Sequence, residues 1–226
     1  MRTVGILGGM GPEATILLMQ KVLDAVPARD DGDHIPLIVH QNPQVPSRIK
    51  ALIDGNGEDP APVLARMADD LARAGAKALA MPCNTAHHYA DALQGATSLP
   101  FLNMLDLTAA ALAGAGARKV GLLASPATRL TGVFLQPFSA RGLEPVSLSD
   151  DSELLAIIRA VKAGEDPESL APRMNGQAHR LADAGADHLL VACTELSFLT
   201  GALPDGIGWT DSLDCLVEGI VDFAQG

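Results

Sequence analysis

Short apolar runs alternate with longer segments of helical periodicity along most of this chain. Runs such as TVGILGG and AKALAMPC are interleaved with segments such as PEATILLMQKVLDAV, in which apolar residues recur every three or four positions. Short apolar runs closed by glycine or cysteine predict buried strands, and the longer periodic segments predict amphipathic helices. Strands that alternate with helices are typical of βαβ units with parallel sheets. The pattern therefore predicts an α/β fold.

The pattern restarts half-way along the chain. VGILGG begins at Val4 and VGLLAS at Val120, an offset of 116 residues. LARAGAKALAMPCNTA at 71–86 matches LADAGADHLLVACTEL at 181–196 with an offset of 110 residues. The alternative is a chance similarity between Ala-rich segments, but both matched segments carry a cysteine at the same place. We interpret the chain as two copies of one structural unit.

The repeat predicts two similar domains of the Rossmann-like or flavodoxin-like type, each with a parallel sheet. We expect them to be related by pseudo-twofold symmetry, with the active site in the interdomain cleft. The first domain is predicted to comprise residues 1–101 plus 209–226, because the C-terminal helix is expected to pack back on it. The second domain is predicted to comprise residues 102–208.

The paired cysteines are the first candidates for chemistry. Cys83 and Cys193 follow the matched strands, each just before a helix or turn. Ligands of parallel sheets bind beyond the carboxyl ends of the strands, so both thiols are expected at the site. A thiol at a helix N-terminus is a thiolate candidate because the oriented N–H groups favour an anion. Core packing is the alternative for a single cysteine, and we assign it to Cys215 on the apolar face of the last helix.

Two thiols on opposite faces of one carbon suit a racemase. One group removes the Cα proton, the other returns a proton from the opposite face, and the roles exchange with direction. Donors to the substrate's α-carboxylate would spread the developing charge. Candidates are Asn84, Thr85, Thr194 and the backbone after Gly8, and Ser125 is expected to line the cleft from the equivalent turn of the second half.

The charge and the apolar content of the chain argue against two classes of binding partner. The net charge is −11, from 16 basic and 27 acidic residues, which argues against nucleic acid and anionic membranes as partners. No apolar segment has the length of a membrane span, and the N-terminal run MRTVGILGGMG is expected to be a strand, not a signal peptide. We therefore expect a cytoplasmic protein with reduced thiols.

Three motifs resemble those of the aspartate/glutamate racemase superfamily, whose members need no pyridoxal phosphate. They are GILGGMGPEAT at 5–15, PCNTAHHY at 82–89 and ACTEL at 192–196. The resemblance implies a racemase of aspartate, or also of glutamate or other amino acids, with Cys83 and Cys193 as acid/base pair, and a homodimer. The glutamate racemase branch has a histidine two residues after its second cysteine. Glu195 stands there in this chain, which favours the aspartate or broad-specificity branch.

The resemblance also implies which residues hold the substrate. NPQVPSR at 42–48 resembles the segment that carries a substrate-binding arginine, and IRAVKAG at 158–164 resembles the helix end that carries a lysine near the substrate. Positive charge is also what an acidic chain needs to bind a dicarboxylate, although solvated surface cations are the alternative. The expected substrate-binding set is Met10, Gln44, Arg48, Asn84, Thr85, Ser125, Lys162, Thr194 and Glu195.

Other functions stay open from the sequence alone. The same scaffold carries hydantoin racemases, maleate isomerases and arylmalonate decarboxylases. A non-catalytic protein that binds small acids and a redox dithiol protein are further alternatives. A G-x-G-x-x-A pattern at 9–14 admits a dinucleotide site, but Pro12 removes an N–H from its turn. His87 and His88 suggest a metal, yet adjacent helical residues point about 100° apart. We expect neither cofactor nor metal.

Overall fold

The computed structural model describes all 226 residues, which form eight strands and nine α-helices. The strands are β1 (Val4–Gly8), β2 (Leu37–Gln41), β3 (Ala78–Ala80), β4 (Phe101–Leu102), β5 (Lys119–Ala124), β6 (Glu144–Val146), β7 (His188–Ala192) and β8 (Gly208–Asp211). The α-helices are α1 (Pro12–Asp24), α2 (Ala61–Arg73), α3 (Ala90–Ala96), α4 (Met104–Gly114), α5 (Pro126–Thr131), α6 (Leu135–Ser139), α7 (Ser152–Lys162), α8 (Pro167–Asp183) and α9 (Ser212–Gln225). Short 3-10 helices span Asp31–Asp33, Thr85–Tyr89 and Leu196–Ala202, and Lys50–Asp54 is π-helical. None of these helices has the length and apolar character that a membrane crossing needs.

The strands form two four-stranded parallel sheets with the same connectivity. The order is β2-β1-β3-β4 in one sheet and β6-β5-β7-β8 in the other. In the first sheet Ile6 pairs with Val39 on one side and Ala80 on the other, and in the second Leu122 pairs with Leu190. The predicted α/β class, with two similar parallel-sheet units, is confirmed.

The chain divides into two compact units. The first comprises Met1–Met104 and Asp214–Gly226, and the second comprises Leu105–Leu213. Helix α9 rejoins the first unit, where the Arg2 N–H donates to the carbonyl of Ala224 at 2.9 Å. The domain boundaries predicted from the sequence remain a prediction; they lie within a few residues of these divisions.

The second sheet is covered on both faces, because successive side chains of a strand point in opposite directions. Leu189 and Val191 of β7 belong to one buried cluster together with residues of α7 and α8. Leu190 and Ala192 belong to another, which includes Phe138 of α6 and residues of α4. A parallel strand buried on both faces is a continuous apolar run, which is why HLLVA was recognisable in the sequence.

The turn between β1 and α1 depends on two glycines. Gly9 has φ +94°, and a Cβ there would lie 2.4 Å from the carbonyl carbon of Asn42. A Cβ at Gly8 would lie 2.6 Å from a side-chain atom of Thr15. Pro12 then takes the first position of α1, where its missing N–H costs no hydrogen bond. The chain can therefore turn sharply beyond the carboxyl end of β1 and place Met10 there.

Candidate active site

Cys83 lies just beyond the carboxyl end of β3, as expected. Its side chain is buried, and its N–H donates to the carbonyl of Met81 at 2.9 Å. Met10, from the turn after β1, belongs to the same buried cluster. The first unit thus brings the first cysteine and one predicted substrate-binding residue into one cluster at this edge of the sheet.

His87 holds the cysteine segment in place through both ring nitrogens. Nδ1 lies 2.9 Å from the carbonyl oxygen of Cys83, and Nε2 accepts the Met104 N–H at 3.2 Å. A carbonyl only accepts and an N–H only donates, so the ring is the neutral tautomer with its proton on Nδ1. Burial lowers the pKa of His87 to about 4, although the bond to Cys83 opposes the shift. This role of His87 was not predicted from the sequence, in which its spacing of four residues from Cys83 was the available signal.

The helix expected directly after Cys83 is not a regular α-helix. Residues Thr85–Tyr89 form a 3-10 helix, and α3 begins only at Ala90. Asn84 is buried at the cap position but makes no side-chain capping bond, and Thr85 is half-buried. The side chain of Asn84 therefore does not cap this segment. The role of Asn84 and Thr85 as donors to a substrate stays a prediction.

The segment after β2 brings Arg48 next to Met10. Arg48 Nη2 donates to the Met10 carbonyl at 3.2 Å, and Nη1 donates to the Pro46 carbonyl at 3.2 Å. These partners are carbonyl oxygens, so no carboxylate neutralises the guanidinium within these contacts. Gln44, expected in the same set, is exposed, and its N–H donates to Asn42 Oδ1. The turn after β1 also corrects an expectation: the Gly9 N–H is taken by Thr15 Oγ1 at 2.9 Å, so this backbone donor is not available to a substrate.

The second cysteine has a carboxylate beside it. Cys193 follows β7 directly and is half-buried, and its thiol donates to Glu195 Oε2 at 3.0 Å. Burial raises the pKa of the Cys193 thiol well above its usual range, and the negative charge of Glu195 raises it further. Which of the two thiols is the thiolate was left open by the sequence; at Cys193 the buried site and the acidic neighbour favour the protonated form.

Glu195 also binds Lys162. The ammonium group of Lys162, the last residue of α7, forms an ion pair with Glu195 Oε1. The Glu195 side chain is nearly buried, whereas that of Lys162 is 42% exposed. The sequence placed both residues in one substrate-binding set and did not predict their ion pair. The only sequence signal for this ion pair was that Glu195 and Lys162 carry opposite charges and lie near a strand end and at a helix end of the same unit.

Two other predicted residues of the second unit are buried. Ser125 caps α5 by accepting the Thr128 N–H at 3.2 Å, and its hydroxyl lies 3.0 Å from that of Thr128. Ser125 and Thr194 are both buried. The second unit therefore brings together Cys193, Glu195 and Lys162 by direct contact, with Thr194 between the first two in the chain.

Comparison with known proteins identifies the family behind this geometry. The sequence matches the Asp/Glu/Hydantoin racemase profile over residues 7–220. The chain belongs to this family. The superfamily resemblance carried by the three motifs is confirmed.

Two curated members of the family show how the chain relates to it. It is 32% identical over 161 residues to a glutamate racemase of Deinococcus radiodurans, which is 69% of this chain but 54% of that protein, so the match spans about half of that relative's length. It is 25% identical over 235 residues to the broad specificity amino-acid racemase RacX of Bacillus subtilis, with 96% of each chain covered.

A solved structure of the family resembles the chain more fully. The aspartate racemase of Picrophilus torridus has a TM-score of 0.86 and 31% identity, and the comparison covers 99% of this chain and 94% of that one. The named relatives thus act on aspartate, on glutamate or on a broad range of amino acids. Family membership alone does not select one of these substrates.

Proposed function

We propose that this protein is a cofactor-independent racemase that interconverts L- and D-aspartate, with Cys83 and Cys193 as its acid/base pair. One observation carries the proposal: equivalent strands of two repeated sheets, β3 and β7, each lead into a reduced cysteine at the carboxyl end. Packing alone can explain one such cysteine, but it gives no reason for a matched pair. Membership of the Asp/Glu/Hydantoin racemase family supports the same interpretation.

The mechanism requires the two thiols to reach opposite faces of one Cα. The cysteine that is a thiolate removes the Cα proton, and the other thiol delivers a proton to the opposite face. After one turnover the protonation states are exchanged, so the enzyme is ready for the other enantiomer. Donors near the α-carboxylate lower the barrier by spreading the charge that develops on it, a role proposed for Asn84, Thr85 and Thr194.

Aspartate is the proposed substrate because of Arg48. Its guanidinium is held by carbonyl oxygens, including that of Met10 in the cluster with Cys83. Its charge therefore stays available for a carboxylate, which a guanidinium can bind through two parallel hydrogen bonds. Lys162 is a weaker candidate for the same task, because Glu195 already neutralises it. Met10, Gln44 and Ser125 complete the proposed surroundings.

A broad-specificity racemase is the second candidate. The match to the Bacillus subtilis enzyme covers 96% of both chains, whereas the match to the glutamate racemase of Deinococcus radiodurans covers only part of that protein. In a broad-specificity enzyme Arg48 would hold the α-carboxylate, which all amino acids share. Cytoplasmic location and a homodimer are further proposals, and both rest on the resemblance to the family.

A panel of single-enantiomer amino acids in D₂O tests the function. Without pyridoxal phosphate and with EDTA present, L-aspartate should yield D-aspartate that carries deuterium at Cα. Aspartate should exceed alanine in kcat/KM by roughly 30- to 1,000-fold, because alanine lacks the side-chain carboxylate. Equal or better turnover of alanine would favour the broad-specificity alternative. No exchange with any amino acid would leave a protein that only binds small acids.

A further inference from the structure

Three side chains of the second unit form a continuous chain of contacts. Lys162 pairs with one oxygen of the Glu195 carboxylate, and the other oxygen accepts the Cys193 thiol proton at 3.0 Å. Each residue comes from a different place: the end of α7, the cap of the 3-10 helix Leu196–Ala202, and the residue after β7. Because the Glu195 carboxylate bridges a cation and a thiol, its position and charge are coupled to the protonation state of the sulfur.

The first cysteine has no such carboxylate next to it in the chain. The two residues after Cys83 are Asn84 and Thr85, whereas those after Cys193 are Thr194 and Glu195. The neutral ring of His87 contacts the Cys83 segment, but it binds the backbone carbonyl and not the sulfur. The two halves thus repeat the fold but differ in the chemistry around the thiol.

We propose that Glu195 is the positioning residue that holds and exchanges the proton of Cys193, while Lys162 fixes the carboxylate that does so. This inference rests on the proposed function, because it gives one of the two acid/base thiols its proton partner. It replaces the expectation that Glu195 contacts the substrate.

The proton balance is simple in both directions. When Cys193 must act as a base, its S–H bond breaks, an O–H bond forms on Glu195 Oε2, and the pair keeps a total charge of −1. When Cys193 next acts as an acid, its proton goes to Cα, and Glu195, which still carries the proton taken up in the base step, returns that proton to the sulfur and becomes a carboxylate again. Over one such forward and reverse cycle no proton has to come from bulk water. The ammonium of Lys162 balances the charge of the pair.

The two charged groups near the Cys193 thiol change its pKa in opposite directions. The negative charge of Glu195, from the segment after β7, raises the pKa of Cys193, and the positive charge of Lys162, from α7, lowers it. Burial is the larger cause of the raised pKa. Removing either partner should therefore move the titration of the thiol, and the two changes should have opposite signs.

Site-resolved alkylation of the intact protein tests the proposal without relying on activity. Iodoacetamide is reacted at a series of pH values, and modification of each cysteine-containing peptide is followed by mass spectrometry. Glu195→Gln should speed alkylation of Cys193 near neutral pH several-fold, because it removes a negative charge that raises the pKa of the thiol and so increases the thiolate fraction. Lys162→Met should slow it. Glu153→Gln, which removes a carboxylate that pairs with Arg173 elsewhere in the unit, is the matched control and should change nothing.

The alkylation profile of Cys83 should stay the same in all three variants, which provides an internal standard. Racemisation by Glu195→Gln should fall by roughly 10²- to 10⁴-fold in kcat, with KM little changed. An unchanged Cys193 profile with a raised KM would overturn the proposal and make Glu195 a substrate ligand. If the wild type proved not to be a racemase, the alkylation shifts would still decide the proton partnership. The two proposals can thus fail separately.

Discussion

At the scale of single residues, His87 links the first cysteine to the start of α4. Its ring donates to the carbonyl of Cys83, accepts from the backbone of Met104 and packs beside Phe101, with ring centroids 5.2 Å apart. Protonation would place a second N–H on Nε2, facing the Met104 N–H that it now accepts. The cysteine segment is therefore held only while the ring is neutral.

This contact predicts a stability change with pH. The folded pKa of His87 is about 4, below the ordinary 6.5, so the unfolded chain binds the proton first as pH falls. The stabilisation is complete above pH 6.5 and is lost between pH 6.5 and 4, a change of about 3 kcal/mol. Urea unfolding across this range should show it. His87→Gln should lose that part of the pH dependence, whereas His88→Gln at the exposed neighbour should keep it. Equal slopes for the wild type and His87→Gln would contradict the assignment.

Arg48 leads to a second prediction at this scale. If its guanidinium binds the side-chain carboxylate of aspartate, Arg48→Ala should lower kcat/KM for aspartate by roughly 30- to 1,000-fold, or on the order of 2–4 kcal/mol. Arg48→Lys should recover only part of the lost kcat/KM, because an ammonium group cannot form two parallel hydrogen bonds with a carboxylate as a planar guanidinium does. Arg73→Ala is the control, since Arg73 is exposed and pairs with Asp69 and Asp70. A loss that is the same for aspartate and alanine would assign Arg48 to the α-carboxylate instead.

The sequence placed both cysteines at strand ends correctly, because position in a strand–helix repeat follows from the apolar pattern. The sequence could not show which side chains would contact each cysteine sulfur. Glu195 and Lys162 are far apart in the chain, and their ion pair depends on how α7 packs beside the end of β7. Likewise Asn84 is a good capping residue by type, but the chain enters a 3-10 turn in which its side chain makes no cap.

At the scale of elements, the turn from β1 to α1 packs closely against a neighbouring loop of the first unit. Its backbone passes so close to the segment after β2 that no side chain fits at Gly9. Both Met10 and the carbonyl that binds Arg48 depend on this turn. Glycine-rich turns of this kind are often interpreted as phosphate sites, but here the missing side chains serve close packing of one loop on another.

Two glycine variants test that conclusion. Gly9→Ala should destabilise the protein by several kcal/mol, because it combines a positive φ with a Cβ 2.4 Å from the backbone of Asn42. Gly116→Ala also has a positive φ, +79°, but nothing lies within 4 Å of its added Cβ, so it should cost only about 1–2 kcal/mol. Denaturant unfolding compares them. Similar losses in the two variants would mean that the conformation, and not the close approach, sets the cost.

At the scale of the whole molecule, the repeated strand order is the feature that the sequence predicted best. Matching segments around Val4 and Val120, and around Cys83 and Cys193, imply matching sheets, and the sheets have the same order. The 3-10 segments after both cysteines were not predicted, since short turns carry no periodicity. The division of the chain at 104/105 and 213/214 depends on which sheet each helix covers, which an amphipathic pattern does not specify.

The matched pair of cysteines is also the reason for proposing that two thiols share one racemisation. Cys215 provides the control within the same chain, because it is buried on α9 and has no equivalent in the other half. A cysteine that only packs should tolerate replacement by alanine with at most a modest loss of stability. A cysteine that moves a proton should not.

The most direct test is chiral chromatography of L- and D-aspartate after incubation with the purified wild type and three variants, Cys83→Ala, Cys193→Ala and Cys215→Ala, each checked for folding by circular dichroism. We expect Cys83→Ala and Cys193→Ala both to lose interconversion in both directions, by roughly 10²- to 10⁴-fold or more. Cys215→Ala should retain nearly the wild-type rate. Substantial racemisation by a folded Cys83→Ala or Cys193→Ala protein would contradict the two-thiol mechanism.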